Sequence, residues 1–404
     1  MSASETPASG APGTSDLSGI ELSLVHDDAA FRLQRRLGLI PANGMGTTRR
    51  ALIFAGITWL PLVIWAAVTG RMGANPGSEG LLGHFGVHVR CLLAIPVLVI
   101  AEGMAQKSVP QYLRYFVESG LVTPATLPQF KALVASVARL RNRVLPWMLI
   151  AGVVIAWATV GAAINKIDDM AWPGASGDPP NAITFGGWWF IVVIRPLFNA
   201  LLLAWVWRAC LVFVLFFKLS RFPLAYVPVH PDRLAGVGFV ERLAFVFSPV
   251  ALALSAVVAA SFAHDVMYHG VKVLDIKGEL IAAGVLVTVI FLLPFIPFAI
   301  PLGKLKREAL LSYGSLVGHH GRFVHRRWIG DEAIGSPAIL DAPELGPVAD
   351  VQTLFDAIRR MRKMPVGKLG FMAIAVPAAL PLLFVAGMQL PLQSILGKVL
   401  KTLI

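Results

Sequence analysis

Seven uninterrupted apolar runs decide most of what this chain can become. They cover 51–68, 85–105, 144–165, 186–208 with an apolar continuation to about 218, 243–263, 280–302 and 371–390. A helix needs about 20 such residues to cross a hydrocarbon core of ~30 Å. Inside that core every backbone amide must find its partner within the protein, which leaves helices and closed barrels as the spanning structures. Barrel strands alternate apolar and polar residues over about ten positions, and these runs do not alternate. The expected fold class is all-α: a polytopic helical membrane bundle of six or seven transmembrane helices with amphipathic helices on the cytosolic side. The charged fraction agrees, at 14% of 404 residues against about 25% in a soluble domain.

The loops set the orientation. Arg32, Arg35, Arg36, Arg49 and Arg50 precede the first run. The 106–143 loop carries Lys107, Arg114, Lys131, Arg139, Arg141 and Arg143 against the single acid Glu118. Lys218, Arg221, Arg233 and Arg242 flank the turn after the fourth run, and 303–368 holds eleven Lys and Arg. Between them, 69–85, 166–185 and 264–279 are poor in base, the middle one setting Lys166 against Asp168, Asp169 and Asp178. Basic loops stay in the cytosol, so the amino terminus is expected inside. The net charge of +12 follows from this bias and needs no nucleic acid partner.

Four stretches follow: a disordered amino-terminal tail over 1–30, and a six-helix membrane domain over 31–302 with cytosolic helices at 107–143. A basic cytosolic helical region over 303–368 precedes a hydrophobic segment and tail over 369–404. Residues 1–19 are too poor in apolar surface to repay ordering, and they lack the basic start and short apolar core of a signal peptide. The last run contains Pro377, Pro381 and Pro391; it either crosses as a kinked seventh helix or dips in and returns. Apolar residues recur at helical spacing in 126–143 and 348–364, and Phe31 to Leu37 forms a short basic amphipathic turn. Such helices lie on an anionic leaflet, pack on their own protein or dock a partner. Cys91 and Cys210 lie inside apolar runs and read as buried small hydrophobes with no disulfide.

Between the fourth and fifth runs the chain reads VHPDRLAGVGFV from Val229 to Val240. This resembles a segment, H-P-D-R-x-G-G-L-G-F, of a group of uncharacterised polytopic bacterial inner-membrane proteins. His230, Pro231, Asp232, Arg233, Gly236, Gly238 and Phe239 match, while Ala235 and Val237 depart. The likeness extends along most of the chain from about Phe31. It implies a multi-pass protein of the bacterial inner membrane and brings no chemistry with it.

Catalytic and nucleotide signatures are absent. The GSLVG at 314–318 lacks the spacing of a nucleophile elbow, and the glycines at 38–46 are not followed by the Lys-Ser/Thr of a phosphate loop. Candidate sites rest on polar residues at the apolar runs. His230 and Asp232 could handle a proton, and Arg233 could meet an anion at a helix start; alternatively Asp232 caps the following helix. On the outer side, His84 and His88 are four apart, as are Asp265 and His269, with His264 adjacent. If the two helix ends adjoin, they supply ligands for a weak divalent metal site. Arg195 falls inside the fourth run, between an outer Trp188 and Trp189 and an inner Trp205 and Trp207 taken as interfacial markers. A charge at that depth calls for a partner or water. Arg90 and Arg208 are expected to snorkel.

The expected function is binding or passage of a small anionic solute through an outward cavity lined by Arg90, Arg195 and the histidines. The alternatives are a membrane scaffold that docks cytosolic partners, and a membrane-embedded metalloenzyme. Expected partners are the lipid bilayer, the anionic solute and a second copy of the chain.

Overall fold

The computed structural model describes residues 20, 22–26, 28–41, 44–73, 80–163, 184–330 and 346–389. The expectations for 1–19, for Lys166, Asp168, Asp169 and Asp178, and for Pro391 and the carboxyl tail lie outside the described residues. No strand occurs among the described residues, and seven helices are long and apolar enough to cross a membrane.

In chain order the helices are α1 (Ala29–Arg36), α2 (Thr47–Val68), α3 (Phe85–Glu118), α4 (Leu127–Arg141), α5 (Val144–Ala163) and α6 (Phe185–Leu219). There follow α7 (Gly238–Tyr268), α8 (Val273–Leu292), α9 (Ala299–Trp328), α10 (Gly346–Arg359) and α11 (Lys368–Gly387). The spans are α2, α3, α5, α6, α7, α8 and α11.

Hydrogen bonds sort the loops into two ends. At one end, Ala225 N donates to Leu121 O at 2.8 Å and Arg362 N to Arg233 O at 2.8 Å, and Lys218 Nζ bonds Ser136 Oγ at 2.7 Å. At the other, His264 Nδ1 lies 3.3 Å from Gly83 O, and Val273 N donates to Gln389 Oε1 at 2.8 Å. The first group belongs to the basic loops, so it is called the basic end and the second the opposite end. The last apolar run joins the two. Gly370 N, near the start of α11, donates to Glu241 Oε1 at 2.7 Å at the basic end, while Gln389 closes its exit at the opposite end. Pro377 and Pro381 sit inside one continuous 20-residue helix, about 30 Å long at 1.5 Å per residue. The last run therefore runs from end to end and does not double back.

The bundle is built around α7. Its buried face is rich in alanine (Ala251, Ala253, Ala256, Ala259, Ala260 and Ala263), so α11, α3 and α8 approach it closely. Close packing of small residues is the main attraction available in lipid, where tails are as apolar as leucine. Ser255 Oγ adds a bond to Ala378 O of α11. By contrast α5 leans mainly on α6 and leaves Leu149, Ile155 and Trp157 exposed, as suits a lipid-facing outer helix.

Two spans contain a widened turn. A π-helical turn at Val89–Ala94 precedes Ile95 and Pro96 in α3. A second, at Phe190–Ile194, precedes Arg195 and Pro196 in α6. Proline carries no amide hydrogen and its ring collides with the carbonyl four residues earlier. Widening the preceding turn relieves that clash.

Two of the amphipathic helices, α4 and α10, serve the protein's own packing, while Leu33 of α1 and Leu37 at its C-cap are exposed. Phe130, Val134 and Val137 of α4 are buried against α6, and α10 packs along α9. Lys306 Nζ of α9 donates to Arg359 O at 2.9 Å. Cys91 is buried as expected, but Cys210 is exposed on the surface of α6.

Candidate functional site

At the opposite end the two pairs of polar helix residues do adjoin. The rings of His84 and His264 stack with centroids 5.8 Å apart, and His269 lies 5.3 Å from His264 with Nδ1 3.1 Å from Asp265 Oδ1. His88 is turned elsewhere: it accepts from Trp59 Nε1 at 3.0 Å, and its Nε2 lies 2.9 Å from Leu81 O. Sharing a helix face does not make His84 and His88 share a target, because His84 precedes the first turn of α3. Among the described residues no three His, Cys, Asp or Glu side chains converge as metal ligands.

The arginines at this end lie on aromatic faces. Arg90 Cζ is 5.4 Å from the Phe190 ring and Arg195 Cζ 5.9 Å from the Trp157 ring, so their charges meet ring quadrupoles. The space enclosed by His84, Arg90, Phe190, Ser261 and His264 is about 10 Å³, room for about one water. The expected outward cavity is thus not open to a solute there, and Arg195 is not among the residues lining that space. One tryptophan marker also needs correction, although Trp188 stays exposed. Trp205 is fully buried and donates to Leu98 O at 3.0 Å. Trp189 donates to Thr58 O at 3.2 Å.

The His-Pro-Asp-Arg segment is a folded loop organised by one carboxylate. Asp232 Oδ1 accepts from Leu234 N at 2.7 Å and Gly236 N at 3.2 Å. Its Oδ2 accepts from Gly238 N at 2.8 Å, the first residue of the turn that opens α7. Asp232 therefore caps the helix start, as the structural alternative expected, and holds two further amides. His230 Nδ1 lies 2.9 Å from Asp232 Oδ1. The loop is tight enough to force Arg233 and Ala235 to φ 59 and 57. A left-handed non-glycine residue costs about 1–2 kcal/mol, which the three amide bonds offset. Arg233 gives its carbonyl to Arg362 N and so ties this loop to the segment before α11.

That tie helps to form a groove of about 710 Å³ at the basic end. Lys107, Arg114, Arg242 and Arg362 line it, with Glu118 and Asp232 as its carboxylates. Tyr112, Tyr115 and Phe239 form an aromatic wall, with Tyr115 and Phe239 edge to face at 4.7 Å. Four cations against two carboxylates leave the lining net positive, although Arg362 also lies 3.6 Å from Glu241. Of these residues, sequence reasoning singled out only Asp232 as a site residue. The lining comes from three separate stretches of the chain.

On another face of α3 lies a buried ionic network. Glu102 Oε1 accepts from Arg208 Nη2 at 2.8 Å, and its Oε2 accepts from Arg50 Nη2. Arg208 Nη2 also reaches Asp28 Oδ2 at 3.0 Å. All four side chains are at most 2% exposed. Asp28 caps α1 by accepting from Phe31 N at 2.6 Å. Burial pushes its carboxyl above the ordinary carboxylate range, with Arg208 pulling it back. Arg208 does not snorkel: its guanidinium lies 5.1 Å from the Trp205 ring, inside the bundle. The sequence did carry a signal, since Glu102 is the one acid inside the run 85–105.

No family model matches the chain, and no curated protein or solved structure matches it either.

Proposed function

We propose that this membrane protein binds a small phosphorylated or carboxylated solute in the groove at its basic end. The carrying observation is the set of four cations, Lys107, Arg114, Arg242 and Arg362, around an aromatic wall in a space of about 710 Å³. Guanidinium groups match the planar geometry of carboxylate and phosphate, and tyrosine rings favour a ligand with an apolar or planar part. The positive-inside bias and the resemblance at 229–240 support a reading in which the basic end faces the cytosol of a bacterial inner membrane. The groove would then draw on cytosolic anions or on the headgroups of the inner leaflet.

Thermal unfolding in neutral detergent separates these sources. Pyrophosphate is expected to raise the melting temperature of the native protein and not of the Lys107→Gln/Arg242→Gln variant. A shift seen only after reconstitution with anionic lipid would assign the groove to headgroups. No shift with either probe would remove the proposal. In a Cys91→Ala/Cys210→Ala background, Ser119→Cys should label only from inside intact cells and Lys272→Cys from outside. The reverse pattern would turn the groove away from the cytosol.

A scaffold role is the second reading, favoured by the exposed Leu311 and Leu316 on the basic helix α9. Cross-linking through those two positions to a cytosolic protein would support it.

A further inference from the structure

The buried network contains one charge that does not belong to the spans. Arg50 of α2, Glu102 of α3 and Arg208 of α6 are carried by the membrane helices, and together they leave one positive charge uncompensated. Asp28 supplies the balancing carboxylate from the segment that precedes α1. That segment enters the bundle without regular structure between Ile20 and Asp28 in its described residues. It buries Ile20, Leu22, Leu24 and Val25. Polar ties hold it, from Ser23 Oγ to Gln106 of α3 and from Arg141 of α4 to Ser23 O. Among the described residues no backbone–backbone hydrogen bond joins it to the spans, so its withdrawal would break side-chain contacts and leave the helices' own ladders intact.

The fit of Asp28 is also incomplete. It meets Arg208 through a single nitrogen, Nη2, although a guanidinium can hold an oxyanion by two parallel bonds. Nε and Nη1 of Arg208, and Nε and Nη1 of Arg50, are buried and meet no acceptor among the described residues. The unmet donors of Arg208 belong to the guanidinium that holds Asp28, and those of Arg50 to the guanidinium on the other oxygen of Glu102; unmet donors at such a depth are costly. They suit a ligand with more oxygens than Asp28 offers there.

We propose that Arg208, with Arg50 across Glu102 from it, forms a binding site for a small oxyanion, a carboxylate or a phosphate, and that Asp28 occupies it on the Arg208 side as a built-in competitor. The site is separate from the groove, since Glu102 and Gln106 project from α3 away from Lys107 and Arg114. A free anion entering from the basic end takes the place of the Asp28 carboxylate, and the amino-terminal segment withdraws. The segment thereby couples the anion level to the state of that end of the bundle.

Full-length Asp28→Ala and native protein, compared by thermal unfolding at constant ionic strength with formate replacing chloride, test the site. The variant should melt lower than native, and formate should raise its melting temperature more than it raises that of the native protein. The same rescue should persist in Asp28→Ala/Lys107→Gln/Arg242→Gln, where the groove is disabled, and weaken in Asp28→Ala/Arg208→Lys. If Asp28→Ala is not recovered folded, Asp28→Asn keeps the side-chain volume and an acceptor, and the same order is expected. Competition is read separately with Ser23→Cys in the Cys91→Ala/Cys210→Ala background. Phosphate should speed its labelling by a soluble maleimide, because the segment leaves. Equal formate shifts in native and variant protein, or none in the variant, would overturn the site. Rescue without faster labelling would overturn the displacement.

Discussion

At the basic end Arg50 and Arg208 lie against the carboxylates of Glu102 and Asp28, whereas at the opposite end Arg90 and Arg195 lie over the rings of Phe190 and Trp157. The two solutions differ in strength and in reach. A carboxylate cancels a full charge and fixes both partners, so Glu102 alone links α2, α3 and α6. A ring face contributes about 0.5–2 kcal/mol and does not itself cancel the charge. One end is thus clamped through shared ions, and the other holds its cations by contacts that tolerate small movements. The widened turns before Pro96 and Pro196 lie at the adaptable end, where backbone geometry already departs from a regular helix.

This contrast can be broken most directly at Glu102. Glu102→Gln takes from Arg50 its carboxylate and leaves Arg208 with Asp28 alone, and loss of one partner from such a network costs about 3–5 kcal/mol. A large fall in melting temperature in detergent is expected. A variant as stable as the native protein would mean that the ions do not clamp α2, α3 and α6. Asp232→Ala tests the second carboxylate at the same end. Three backbone amides lose their acceptor, for a loss of about 2 kcal/mol, with faster hydrogen exchange confined to 230–243. Exchange that spreads through α7 would show the loop to be part of the cooperative core. The smallest effect is expected at the opposite end. Trp157→Leu removes the ring beneath Arg195 and should cost no more than about 1 kcal/mol. A loss as large as that of Glu102→Gln would erase the distinction between the two ends.

The fold was legible because its signal is local and repeated. Each run, such as 243–263 or 371–390, states its own length and apolar character, and the amphipathic periods at 126–143 and 348–364 became α4 and α10. The sites were far less legible. His84 and His88 share a helical spacing, yet only His84 reaches His264, because a three-residue turn at Leu81–Gly83 and the start of α3 set the ring directions. Arg208 looked like a boundary residue by position, and its burial depends on Asp28, 180 residues away in sequence. The groove assembles residues from 107–118, 232–242 and 362, which no spacing rule connects.

Chain composition and loop charge by themselves determined a helical membrane bundle, the number of its apolar runs and which loops share an end. Those properties follow from the energetics of putting a backbone and its charges into lipid, which each segment meets separately. Tertiary structure alone decided whether the last run crosses, which cations meet carboxylates and which meet rings, and that Asp28 enters the bundle. Those outcomes depend on close packing between distant segments. A guanidinium gains a carboxylate partner only where folding brings one within a few ångströms, as it brings Asp28 to Arg208 across 180 residues of sequence.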